Sequence, residues 1–220
     1  ICLLASLLIF GIIRKVSPGN GQSDPQARKV SFKIMERKVF AQSVLMLLNG
    51  IIFGGVLSFL PVFAKQQGID NVAWFFFISA IVGIIVRVLC GKFYDLKGPV
   101  FVLVPTGLLL AFGMLLISLT QSVLVLNIAA VFYGFGQSAV FSALLAWTMS
   151  LVEIEQRETA MGSFLNSFDL GVGGGALLLG FFIEITSYQS MYVLLAVLAV
   201  VYVILTVFVA NRQKPQNAVS

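Results

Sequence analysis

The sequence has 220 residues, of which 59% are hydrophobic and only 10% charged, with 20 Phe, 20 Gly and a net charge of +5. A soluble globular domain carries roughly 25% charged residues, so this balance excludes a soluble fold and requires a bilayer around the chain. The absence of His excludes imidazole catalysis, His-based metal sites and a histidine pH switch.

In chain order, residues 1–13 are an apolar run that ends in Arg14 and Lys15. A signal peptide carries its charge before the apolar region, and ~20 residues are needed to span. The run therefore reads as the second half of a helix, and the sequence as a fragment of a longer protein. Cys2 lies in this run and Cys90 in a later one; without zinc or disulfide spacing both read as small core residues. Residues 14–38 are the only long hydrophilic stretch, with the turn-forming Ser17-Pro18-Gly19-Asn20-Gly21 and a basic run after it, and read as a linker.

Six apolar segments follow, at about 39–64, 72–91, 100–119, 123–151, 159–186 and 191–210. Each is long enough for the ~30 Å hydrocarbon core. Helices are expected because a helix satisfies its own backbone in lipid, and none of the runs shows the alternation of barrel strands. The expected fold is an all-α integral membrane bundle of six crossings, with residues 211–220 as a tail.

The short gaps orient the bundle. Of the 14 Lys and Arg residues, twelve fall in the linker, in alternate gaps or in the tail; Lys65 lies in an opposite gap and Arg87 within a span. By the positive-inside rule the linker, Lys92, Lys97, Arg157 and the tail are cytoplasmic. The basic residues thus report topology rather than a nucleic-acid surface. Trp74 and Trp147 are expected near the two interfaces, in the aromatic belts.

Gly83, Arg87, Gly91 and Asp95 recur every four residues and so form one stripe on a helix. Its glycines permit close helix approach, Asp95 at the cytoplasmic end can accept hydrogen bonds from a helix N-terminus, and Gly98 permits a tight turn. The run Gly91-Lys92-Phe93-Tyr94-Asp95-Leu96-Lys97-Gly98, placed in the turn between the second and third spans, resembles the signature loop of the major facilitator superfamily, G-x-x-x-D-[RK]-x-G-[RK]-[RK]. Gly91, Asp95, Lys97 and Gly98 carry the match; Leu96, Pro99 and Val100 depart from it. Arg157-Glu158-Thr159-Ala160-Met161-Gly162 and Asp169-Leu170-Gly171 are similar to the start of the eleventh helix of drug-exporter-like members, with Glu158 where Gly is usual. The resemblance implies the C-terminal half of a twelve-helix transporter, helices seven to twelve preceded by the end of helix six, with the N-terminal half of the same chain as its partner. It also implies a gating loop at Gly91 to Gly98.

Arg87 and Asp169 are the charges deepest in the spans, and an intramembrane charge marks a functional site by default. Arg87 lies about 12 Å of helix before Asp95, and Asp169 about 18 Å after Arg157. Similar depth makes them candidates for an inward-facing proton- or substrate-coupling pair, with a structural ion pair or a cytoplasmic gate element as the competing reading. Asn49 and Phe53, Tyr133 and Gln137, and Asn166 are polar or aromatic positions in otherwise apolar helices. They are candidate cavity lining, competing with interhelical hydrogen bonding, and would suit a lipophilic or amphipathic substrate.

Gly171-Val172-Gly173-Gly174-Gly175-Ala176 fits the dinucleotide fingerprint, but that motif needs a strand before it. Gly171 and Gly175 are expected instead to form a G-x-x-x-G contact face, and with Gly173 a hinge. No cofactor, metal or ATP site is predicted, so the energy for transport is expected from a gradient. The expected function is a secondary active transporter in the cell membrane, not an enzyme, exporting a small molecule in exchange for protons. Uptake of a sugar, organic acid or other metabolite is the alternative, and a non-transporting membrane protein a distant one.

Overall fold

The computed structural model describes residues 39–213, without the side chains of Leu89, Cys90, Lys92, Asp95 and Gln213. The run at 1–13, the linker at 14–38 and residues 214–220 lie outside the described residues. Six α-helices follow one another: α1 Phe40–Gln66, α2 Ala73–Lys97, α3 Pro99–Ser118, α4 Val123–Ser150, α5 Arg157–Ile185 and α6 Tyr188–Gln213. No strand occurs among the described residues. Five of the helices are each long and apolar enough to cross a bilayer, and α2 is apolar over Ala73–Val88.

Local chemistry marks the ends. α1 closes at Gly68, whose φ of 73° is open to glycine at little cost. The amide of Ile69 then donates to Ala64 O at 2.9 Å, and the Ile69 side chain returns to the core. Ser122 caps α4 by accepting from the Val125 amide. α2 and α3 meet at a single residue: Gly98, at φ 79°, ends α2, and Pro99 occupies the first turn of α3. The stretch expected as a turn at Gly91 to Gly98 is therefore helical through Lys97. Nothing before Gly98 breaks a helix, and hydropathy marks where lipid ends rather than where the helix does.

α1 packs on α5, α2 on α4, and α3 on both α4 and α6, with α6 also touching α1. Small residues set these contacts, as expected where lipid supplies no hydrophobic drive between helices. Gly50 and Gly54 of α1 lie against Phe168, Gly171 and Val172 of α5, and Gly171 and Gly175 lie against Leu47, Gly50 and Ile51. Gly134 meets Ser79 and Gly83 meets Ser138 between α4 and α2; Gly113 meets Tyr133 between α3 and α4; Gly107 meets Val203 between α3 and α6.

The interior holds two large apolar clusters and a small third one of Val39, Val152 and Ala160. One large cluster holds Ile52, Leu60, Phe63, Leu110, Met114, Leu126, Tyr192 and Leu195, the other Leu45, Met46, Leu103, Val140, Leu144, Phe164 and Tyr202. Between them along the helices come Asn49, Thr106 and Gln137, a polar level in the middle of the bundle. Most buried hydroxyls close on their own helix: Thr106 to Val102 O (2.7 Å), Thr148 to Leu144 O (2.8 Å), Ser167 to Ser163 O (2.8 Å) and Thr206 to Tyr202 O (2.8 Å). This back-bonding satisfies a hydroxyl where no water competes.

Candidate functional site

The expected lining residues divide into two groups. Asn49 on α1, with Tyr133 and Gln137 on α4, are buried at 0%, 5% and 8% exposure. Asn166 is exposed on α5 and is not brought to them. Phe53 is half-buried one turn beyond Asn49, and Phe141 is half-buried one turn beyond Gln137. The inner group thus places an amide and, one turn further on, an aromatic ring on each of two helices.

Phe168 of α5 joins those rings. Its centroid lies 5.4 Å from Phe53 and 5.5 Å from Phe141, and the fully buried Phe164 lies 5.8 Å from Phe141. These spacings fall in the favourable range for aromatic pairs. α1, α4 and α5 therefore share an aromatic wall whose outer three rings are half-buried. Phe141, Phe164 and Phe168 were not singled out from the sequence. The available signal was spacing: Phe141 is four residues after Gln137, and Phe168 four after Phe164.

The two buried amides are under-satisfied. Asn49 Oδ1 and Gln137 Oε1 are buried and accept no hydrogen bond among the described residues. The Asn49 amide nitrogen reaches only the Met46 sulfur, at 4.0 Å. A buried amide oxygen without a partner costs about 1–3 kcal/mol. Tyr133 stacks on Phe75 of α2 at 5.4 Å and belongs to the packing between helices.

The charged group is arranged differently from the expectation. Arg87 and Asp169 are both exposed, on α2 and α5, and neither makes an ion pair among the described residues. α2 and α5 are not among the packed helix pairs. The reason lies in which faces are claimed. On α2, Phe75, Gly83 and Val86 take the buried face and leave Arg87 beside it. On α5, Phe164, Ser167, Gly171 and Gly175 take it, and Gly162, Asn166, Asp169 and Gly173 fall on the opposite side. A Cβ at Gly91, Gly162 or Gly173 would meet nothing within 4 Å, whereas Gly171 and Gly175 are enclosed. Gly173 therefore stands apart from the contact face that Gly171 and Gly175 form. The fingerprint-like run 171–176 lies wholly inside α5.

Around the signature stretch, Gly91 and Lys97 are exposed and Gly98 forms the turn; the Asp95 side chain is not described. Trp74 is 51% exposed, as an interfacial residue can be, but Trp147 is 5% exposed and packs in the second apolar cluster. Its bulk fills that cluster, so it is no part of an aromatic belt. Two cavities of about 360 and 370 Å³ sit at the Gln66 and Gln189 end, and none of these residues lines them.

A family model described as Major Facilitator Superfamily matches residues 1–173 and 126–220. Three curated proteins are similar. An uncharacterized MFS-type transporter of Methanocaldococcus jannaschii is 22% identical over 207 residues, covering 90% of this chain and 53% of that protein. The staphylopine export protein of Staphylococcus aureus is 22% identical over 186 residues, covering 83% and 47%. An uncharacterized MFS-type transporter of Salmonella typhimurium is 28% identical over 198 residues, covering 90% and 49%. The chain spans about half the length of these relatives. With its membrane-crossing helices and a family match over most of its length, this multi-pass membrane protein belongs to the Major Facilitator Superfamily.

Proposed function

We propose that this chain is the C-terminal half of a secondary active transporter that exports a small amphipathic molecule by alternating access, in exchange for protons, across the cell membrane. The aromatic wall of Phe53, Phe141 and Phe168, together with the unpartnered amide oxygens of Asn49 and Gln137 on the same helices α1 and α4, carries this reading. Rings take an apolar body, and amides set on rigid helices fix its polar group. Export is favoured by the name of the Staphylococcus aureus relative.

In this reading the outward stripe of α5 (Gly162, Asn166, Asp169 and Gly173) and Arg87 of α2 face the N-terminal half across the substrate path. Asp169 is the proton-coupling candidate, because a carboxylate in a water-lined path can load and release a proton between the two open states. Gly91, Asp95 and Gly98 latch one of those states at the cytoplasmic side, where the C-terminus also lies.

The test is transport by the full-length protein in inside-out vesicles, using an amphipathic fluorescent dye. Accumulation that requires a proton gradient and stops with a protonophore is expected. Movement independent of the gradient would remove proton coupling from the reading. Movement in the opposite sense would assign uptake instead.

A further inference from the structure

The basic end of the α3–α6 pair carries two similar devices on its outer face. Lys97 Nζ lies 4.2 Å from the centroid of the Phe101 ring, and Arg212 Cζ lies 4.3 Å from that of Phe208. The rings are 50% and 51% exposed, so both face outward rather than into the bundle.

The two pairs share one level. Two crossings, α4 and α5, lie between α3 and α6, so the pair runs in opposite directions, and the two helices meet where Gly107 lies against Val203. Six residues back from Gly107 is Phe101, and six on from Val203 is Val209, beside Phe208. Lys97, the last residue of α2, and Arg212 of α6 are then at the same end of the pair. Packed helix axes are about 8–10 Å apart, so the two devices sit on neighbouring helix surfaces at one end of the bundle. Neither α3 nor α6 contains an acidic residue, and Lys97 ends α2, whose one carboxylate is Asp95. The surface beyond the rings is apolar, with Leu108, Phe112, Val197, Val200 and Ile204 exposed.

From this juxtaposition we infer a binding surface for anionic phospholipid at the basic end of α3 and α6. Lys97 and Arg212 hold the phosphate-bearing headgroups, and Phe101 and Phe208 receive the first part of the acyl chains. The cation–ring geometry suits this. A cation over a ring face is drawn to the ring quadrupole while its outward N–H groups remain free to donate. Each ring therefore holds a cation at headgroup depth without consuming its hydrogen bonds. The charge complements an anionic headgroup, and a zwitterionic choline headgroup would set its own cation against these two.

The experiment is native mass spectrometry of the full-length protein in neutral detergent, titrated with phosphatidylglycerol or phosphatidylcholine. Preferential retention of phosphatidylglycerol is expected. A Lys or Arg near an anionic membrane surface contributes about 1 kcal/mol, so Lys97→Gln and Arg212→Gln should each weaken retention about fivefold and the double variant about thirtyfold. Lys97→Arg should keep wild-type retention. Should the double variant melt at a lower temperature, the two single variants carry the test. Unchanged retention of phosphatidylglycerol by both folded single variants overturns the proposal. So does equal retention of phosphatidylcholine by the wild type.

Discussion

The two long faces of α5 use the same residue types to opposite ends. On the face toward α1, Gly171 and Gly175 are enclosed by Leu47, Gly50 and Ile51, and the hydroxyls of Ser163 and Ser167 are bonded to carbonyls of their own helix. On the other face, Gly162 and Gly173 border open space, and Asn166 and Asp169 are exposed. A glycine or a small polar residue is therefore a packing device on one side and something else on the other. In a hydrocarbon medium an exposed carboxylate is costly, so the second face is the one whose polar residues need a function.

This contrast can be broken most sharply at the seam. Gly171→Val would drive a side chain into the α1 backbone at Leu47 and should cost roughly 3 kcal/mol, at the upper end for overpacking. Thermal unfolding of the full-length protein in detergent should show a large loss, whereas Gly173→Ala should melt close to wild type. Equal melting of the two variants would erase the distinction between the faces. Next in size, Asp169→Asn should reduce proton-driven transport at least tenfold with surface expression unchanged. Normal coupled transport by that variant would make the outer face lipid-facing ornament rather than machinery.

The aromatic wall allows a finer comparison. Phe141→Ala should weaken substrate affinity about tenfold, in line with the ~0.5–1.5 kcal/mol of an aromatic pair beyond its area burial. Phe112→Ala, in the ring pair with Phe132 at 4.9 Å, should leave affinity unchanged, and equilibrium binding reads both. Gln137→Leu removes an unpartnered buried amide, so stability should hold or rise by ~1 kcal/mol while affinity falls. A loss of stability would instead make the amide structural. The smallest effect belongs to Ser167→Ala, expected within about 0.5 kcal/mol in a melt because its hydroxyl bonds only its own helix.

The spans could be read from the residues because lipid imposes a length and an apolar composition on each crossing. Their ends were less legible: α2 continues to Lys97 because Phe93, Tyr94 and Leu96 sustain a helix past the apolar run. Orientation was the least legible. Helices that are apolar all round have no single hydrophobic face, so nothing marked Arg87 and Asp169 as outward-facing until the glycine contacts chose the buried sides. The aromatic wall and its neighbouring amides were half visible. Asn49 and Gln137 stand out against apolar neighbours, but Phe141, Phe164 and Phe168 are three among 20 phenylalanines. Only their convergence in space sets them apart. Trp147 shows the converse, since its distance along the chain from a helix end said nothing of which way the ring points.

The one-residue join at Gly98 has a mechanical meaning. A connection that short holds no slack, so α2 cannot slide along its axis or turn about it without carrying the start of α3. The two helices form a bent lever with its elbow at the basic end. Any latch released at Gly91 to Lys97 would be felt along α3, and through α3 in α6, as displacement rather than as local fraying.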